Sequence, residues 1–181
     1  MTPTPTFDEF AALFPLADDL AAVEPVPPEH VPEPYHRLLV HTHHMTVTVE
    51  RFYGDKVDVK VLQVRRDGDD YSRKILLTLQ GSGKVVQFGV PRVNLALLSE
   101  KVRDEIVAGG TPLGRVLIKN HVLRRIVPIA YLAVTLGPAL ADWFGVPTGT
   151  RTYGRTGVIF TDDQPAIEVL EILAPIQPIG R

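Results

Sequence analysis

The sequence predicts an α+β fold, a single mainly antiparallel β-sheet with helices packed on one face. Two observations carry this. From residue 45 onward apolar residues alternate with polar ones, and Gly-containing turns fall at 54, 68 and 81–83, the mark of strands joined by short hairpins. Helix caps and glycine stops then frame several short helical stretches, which give the sheet a covered face.

Thr6 caps a helix opening at Phe7, with Asp8 and Glu9 at its positive end. Phe10, Leu13, Phe14, Ala17 and Leu20 continue it as one apolar stripe. Residues 25–34, PVPPEHVPEP, admit neither helix nor central strand and read as an extended linker. The chain is therefore expected to divide into an N-terminal helix and Pro-rich linker, 1–34, and a main domain, 35–181. A short helix follows from Pro34 to about Val40. Met45, Val47 and Val49 alternate with Thr46, Thr48 and Glu50, which predicts the first strand of an antiparallel meander. Val57, Val59 and Val61 open the second strand, Ser72–Leu79 form the third and Val85–Val90 the fourth. Pro91 ends that strand or sets it at an edge. Ser99 caps a helix closed by Gly109-Gly110, and Thr111-Pro112 begins another in TPLGRVLIKN. Val122–Leu136, rich in Ile and Val with Pro128 inside, reads as a bent strand. PALADWF is a short helix closed by Gly145, and Thr152–Phe160 pairs with Ala166–Leu173 in a final hairpin.

Composition narrows the function. A chain of 181 residues builds one core without staples, and the absence of Cys excludes a disulfide scaffold, a thiolate metal site and a Cys nucleophile. A net charge of −2 with no long basic run argues against a dedicated nucleic-acid binder. The N-terminus lacks the features of a secretory signal. The longest apolar stretch, Ile126–Leu136, falls short of the ~20 residues that span a bilayer. The cytoplasm is the expected compartment.

Several residues suit chemistry. His41 and His43, in the run HTHH, share a face of an extended chain, but no third ligand accompanies them, and no metal is assigned. Glu168 and Glu171 differ by three in an otherwise apolar strand and so point to opposite faces. One is solvated. The other faces a covered side, where it serves either as a general acid or base or as the structural partner of an Arg. Arginines outnumber lysines, and Arg92, Arg115, Arg124, Arg125, Arg151 and Arg155 crowd the second half. Their planar forks suit carboxylates, although most surface arginines form only weak ion pairs. GSGK at 81–84 lacks phosphate-loop spacing and is a hairpin turn.

Four stretches, in order, resemble the chorismate pyruvate-lyase (4-hydroxybenzoate synthase) family. They are HHMTVTVERFYGDKVDVKV, with Met45 opening a hairpin; TPLGRVL at 111–117, followed by Leu123 and Arg125; YGRT at 153–156; and EVLEILAP at 168–175. The resemblance covers about residues 35–175. It implies a chorismate lyase-like fold with an internal pocket closed by two helical flaps. It also implies elimination of pyruvate from chorismate without metal or organic cofactor. By that resemblance Glu171 is the catalytic carboxylate, and Met45, Arg115, Arg125 and Arg155 bind substrate. The family's carboxylate-binding Arg falls at Val90 in this chain. Arg92, two residues on, shares that face if the strand stays regular, so either Arg92 substitutes or the site has lost its main anchor.

The leading expectation is thus a cofactor-free lyase giving 4-hydroxybenzoate. Two alternatives stand beside it. One is a non-catalytic binder of small aromatic acids, since the same fold resembles the effector domains of certain bacterial repressors. Those carry an N-terminal winged helix, for which residues 1–34 are too short and Pro-rich. The other is a lyase-like enzyme of specialised metabolism with a different substrate. In each case the expected partner is a small aromatic or enolpyruvyl carboxylate, with no nucleic acid and no membrane span, and the chain is a monomer or homodimer.

Overall fold

The computed structural model describes residues 3–176. Seven strands form one antiparallel sheet: β1 Leu20–Val26, β2 Val57–Asp67, β3 Asp70–Leu79, β4 Val85–Asn94, β5 Arg124–Leu136, β6 Arg151–Thr161 and β7 Gln164–Leu173. Their spatial order is β1-β5-β6-β7-β4-β3-β2. Six helices accompany them: α1 Phe7–Leu13, α2 Tyr35–Leu39, α3 Met45–Tyr53, α4 Glu100–Ala108, α5 Leu113–Lys119 and α6 Pro138–Phe144. No helix among the described residues is long and apolar enough to cross a membrane.

The α+β class and the antiparallel sheet follow the sequence reading. The helices, however, cover both faces rather than one. Phe10 and Phe14 at α1 and Leu140, Ala141 and Phe144 of α6 pack on Leu76, Phe88, Leu170 and Ile172. On the opposite face α2 and α3 cover Ile75 and Leu77, while α4 and α5 cover Ile159, Ile167 and Val169. The central strands β4 and β7 are consequently buried on both sides, and strands buried on both sides read as continuous apolar runs rather than alternating ones.

Residues 45–53 are a helix, not the expected first strand. Met45, Thr46, Val49 and Glu50 are its buried residues, a spacing of one and four that marks a helical stripe. Gly54 then closes it at φ 67 in the left-handed region. The Val and Thr run fits alternation equally well, and burial of the stripe decides. The first helix ends at Leu13, and β1 occupies much of what reads as helix and linker, pairing with β5 from Leu20↔Leu136 to Val26↔Tyr131. Pro91 lies inside central strand β4, opposite Val169 of β7. On its other side the β3–β4 pairing skips Arg73 and Lys74, resuming at Ile75↔Gly89. The missing proline N–H is thus accommodated at a gap in the ladder.

Candidate functional site

A small cavity lies between the sheet and the N-terminal ends of α3 and α5. It measures about 50 Å³, room for a few water molecules. Its floor is built by alternate residues of the central strands: Arg73, Ile75 and Leu77 of β3, Gln87, Gly89 and Pro91 of β4, and Val169 and Glu171 of β7. His44, Met45 and Thr46 with Pro112, Leu113 and Gly114 form the roof. The two roof segments abut closely. A Cβ built at Gly114 would stand 2.9 Å from Thr46 Oγ1 and 3.2 Å from the His44 Cβ. Gly89 pairs with Glu171, and a side chain there would press within 3.3 Å of Ile75 Cδ1.

Arg73 is the residue that sequence reasoning missed. It is 1% exposed. Its terminal nitrogens donate to the carbonyls of Ile106 (3.3 Å) and Thr111 (3.4 Å), but among the described residues its Nε has no partner. Burial pushes its pKa below the usual guanidinium value, against the opposing effect of Tyr71. Gln87 also lines the cavity, and its buried Oε1 has no partner among the described residues either. Buried polar groups without partners are costly, and here a charged donor and an acceptor line the same space. One signal was available: Arg73 is in phase with Tyr71, Ile75 and Leu77, and all three are buried.

Glu171 faces this cavity, while Glu168 faces the other side of the sheet, as their spacing requires. Glu171 Oε2 accepts from Arg155 Nε at 2.8 Å. Arg155 is 2% exposed and its remaining nitrogens donate to the carbonyls of Leu39 (2.9 Å), His41 (2.9 Å) and His43 (3.1 Å). It therefore anchors the segment leading into α3, with four of its five N–H groups committed. Gly154 before it admits no side chain, because a Cβ would run into the Glu171 carbonyl.

The other expected residues are scattered. Met45 is buried in the cavity roof. Arg115 lies outside the cavity, bound to Glu50 and to the Val57 carbonyl. Glu50 also accepts from the Val57 N–H and from Lys56. Arg125 stacks on Phe160, its guanidinium carbon 4.1 Å from the ring centre. Arg92 shares a face with Val90, but that face is the one opposite the cavity, where Arg92 lies 3.5 Å from both Glu168 and Asp70. Arg92 thus does not take the place of the missing family arginine. Burial raises the pKa of Glu168, with Arg92 opposing.

The histidine run is folded back on itself. His41 Nε2 lies 2.7 Å from the Leu38 carbonyl and its Nδ1 accepts from the His43 N–H at 3.0 Å. His44 Nε2 accepts from Arg124 Nε at 2.6 Å. Burial, reinforced by Arg155 for His41 and by Arg124 and Arg155 for His44, lowers both pKa values to about 4. Both rings are neutral acceptors at pH 7.

No family model matches the sequence, and no curated protein does. Solved structures do match. PhnF from Mycobacterium smegmatis aligns with a TM-score of 0.56 at 12% identity over 75% of this chain and 65% of that one. The effector domain of PhnF alone gives a TM-score of 0.56 at 13% identity over 73% and 88%. YydK from Bacillus subtilis gives 0.48 at 13% identity over 67% and 63%. The chain thus spans a little under two thirds of PhnF and of YydK. At these identities the likeness is one of fold. The matches are to transcriptional regulators and to effector or ligand-binding domains rather than to a lyase, which overturns both the expected membership of the chorismate pyruvate-lyase family and the enzyme reading. Of the expected binding arginines, Arg155 holds backbone carbonyls and Arg92 lies on the face away from the cavity. What the chain shares with those regulator domains is its α+β fold, one antiparallel sheet with the chorismate lyase-like arrangement of helices.

Proposed function

We infer that the chain is a non-catalytic sensor domain that holds a small organic acid in the cavity beneath α3 and α5. The observation that carries this is Arg73, a buried cation that lines the cavity and whose Nε has no partner among the described residues. An anion there would satisfy the guanidinium edge-on. Gln87 Oε1 and the second oxygen of Glu171 favour a ligand that also carries a hydroxyl or amino group, so the class is a hydroxy- or amino-substituted carboxylic acid. The likeness to the effector domain of PhnF supports a ligand-binding role.

The cavity as it stands is too small for such a molecule, so binding requires the roof segments to part. Because the roof comprises the starts of α3 and α5, occupancy would displace both helices together, and the displacement is the signal a sensor domain passes on. The test is a thermal-shift screen of aliphatic and aromatic hydroxy and amino acids, followed by calorimetry. A ligand that stabilises the wild type and not Arg73→Met is expected. A panel in which no acid binds, or in which binding ignores Arg73, sinks the reading.

A further inference from the structure

β5 is paired on only half of its outer side. From Tyr131 to Leu136 it carries β1, whose pairing ends at Val26↔Tyr131. Residues 124–130 pair with β6 alone, and among the described residues none of them bonds through its backbone to any other segment. A groove of about 1360 Å³ runs between this stretch and α3. Five consecutive strand residues, Arg124 to Pro128, line it. Successive side chains of a strand point to opposite faces. A groove that meets all five therefore runs along the strand's edge.

The groove is basic. Arg51, Arg124 and Arg125 line it together with His43 and His121, and its lining holds no Asp or Glu. Among the described residues no carboxylate pairs with any of the three arginines. Its walls are apolar, and two of them, Leu123 and Ile118, are 69% and 37% exposed. Exposed apolar side chains beside an open strand edge are an aggregation hazard unless something covers them.

We propose that this edge is a docking site for an extended acidic segment of a partner protein, which adds a strand beside Arg124–Pro128. Seven unpaired residues offer about 23 Å of edge at ~3.3 Å per residue, enough for a strand of about six residues. Backbone hydrogen bonds supply the affinity, and alternate side chains divide between the arginines and the apolar wall. Pro128 removes one donor, which limits indiscriminate pairing. A second copy of this chain fits poorly, because a two-fold contact would set the basic stretch against itself. Single-stranded nucleic acid fits poorly too, since the lining contains no Phe, Tyr or Trp on which bases stack.

The probe is a fluorescein-labelled hexapeptide, Glu-Val-Glu-Val-Glu-Val, titrated with the full chain and read by anisotropy. Saturable binding is expected, weakened at least tenfold by the double variant Arg51→Glu/Arg125→Glu and by Leu123→Glu. All three positions are exposed, so these variants should melt as the wild type does. The same peptide N-methylated at every residue can donate no backbone hydrogen bond from either edge and should not bind. Equal binding of the N-methylated peptide, or no saturable binding of either, overturns the proposal. So does tighter binding of oligothymidylate, or a sedimenting dimer that the peptide dissociates.

Discussion

Arg155 donates from Nε to Glu171 and from its two terminal nitrogens to the carbonyls of Leu39, His41 and His43. One guanidinium thus ties the closing hairpin to the chain that leads into the cavity roof. Arg155→Met would strand a buried carboxylate and three carbonyls, at a cost of about 3–5 kcal/mol. Glu171→Gln keeps an acceptor for Nε, at about 1–3 kcal/mol. Urea denaturation of both variants measures the difference, and equal losses would contradict the asymmetry.

Arg73→Met separates stability from binding. The substitution gives up two long hydrogen bonds to Ile106 and Thr111 but removes a buried, partly satisfied charge. Replacing such a charge by an apolar side chain of similar length is often neutral or stabilising. The expected variant melts within a few degrees of the wild type and has lost acid binding in calorimetry.

Acid should loosen the roof. His41 and His44 have pKa values near 4 in the fold against an ordinary value of about 6.5 when unfolded. The unfolded chain therefore takes up protons first. The stability these rings contribute is complete above pH 6.5 and is lost as pH falls from there toward 4. For buried His44 the loss is on the order of 2–3 kcal/mol, and half-buried His41 adds less. Glu168 runs the other way: its raised pKa costs stability at neutral pH, and that cost is relieved on acidification. Denaturation midpoints at pH 7, 5.5 and 4.5 should fall, and His44→Gln should flatten the decline.

Gly114 and Thr46 hold the two roof helices together. Gly114→Ala puts a methyl group 2.9 Å from Thr46 Oγ1 and should destabilise by about 1–3 kcal/mol through overpacking. Thr46→Ala in the same chain removes the opposing oxygen and should recover much of the loss. A double variant no better than the single would show that the strain lies in the backbone or at His44.

The sequence was informative where caps and turns are chemical and uninformative where burial decides. Gly109, Gly145 and the Asp162-Asp163 turn, at φ 48 and 62, sit where a left-handed backbone is needed, and the elements they bound fall where the sequence puts them. Residues 45–50 alternate perfectly and are helical all the same, because a stripe through Met45 and Val49 meets the core. The opposite orientations of Glu168 and Glu171 were legible from parity. Which of the two faces holds the cavity was not, since strands covered on both sides carry no alternation. Arg92 was expected because it shares the face of Val90, where the resemblance places an arginine, and that face is the one away from the cavity.

The order of the sheet also sets the order in which the molecule assembles. β7 is the final strand of the sheet in sequence, yet it lies at its centre, between β6 and β4. Until it leaves the ribosome, β2–β4 and β1–β5–β6 are two separate fragments with open inner edges, each exposing backbone that β7 will later pair. The cavity floor draws on β3 and β4 from one fragment and on β7 itself. The clamp on residues 39–43 waits for Arg155, more than 110 positions downstream. The nascent chain is therefore expected to need protection of those inner edges until β7 is available, when the cavity floor and the cooperative core are completed together.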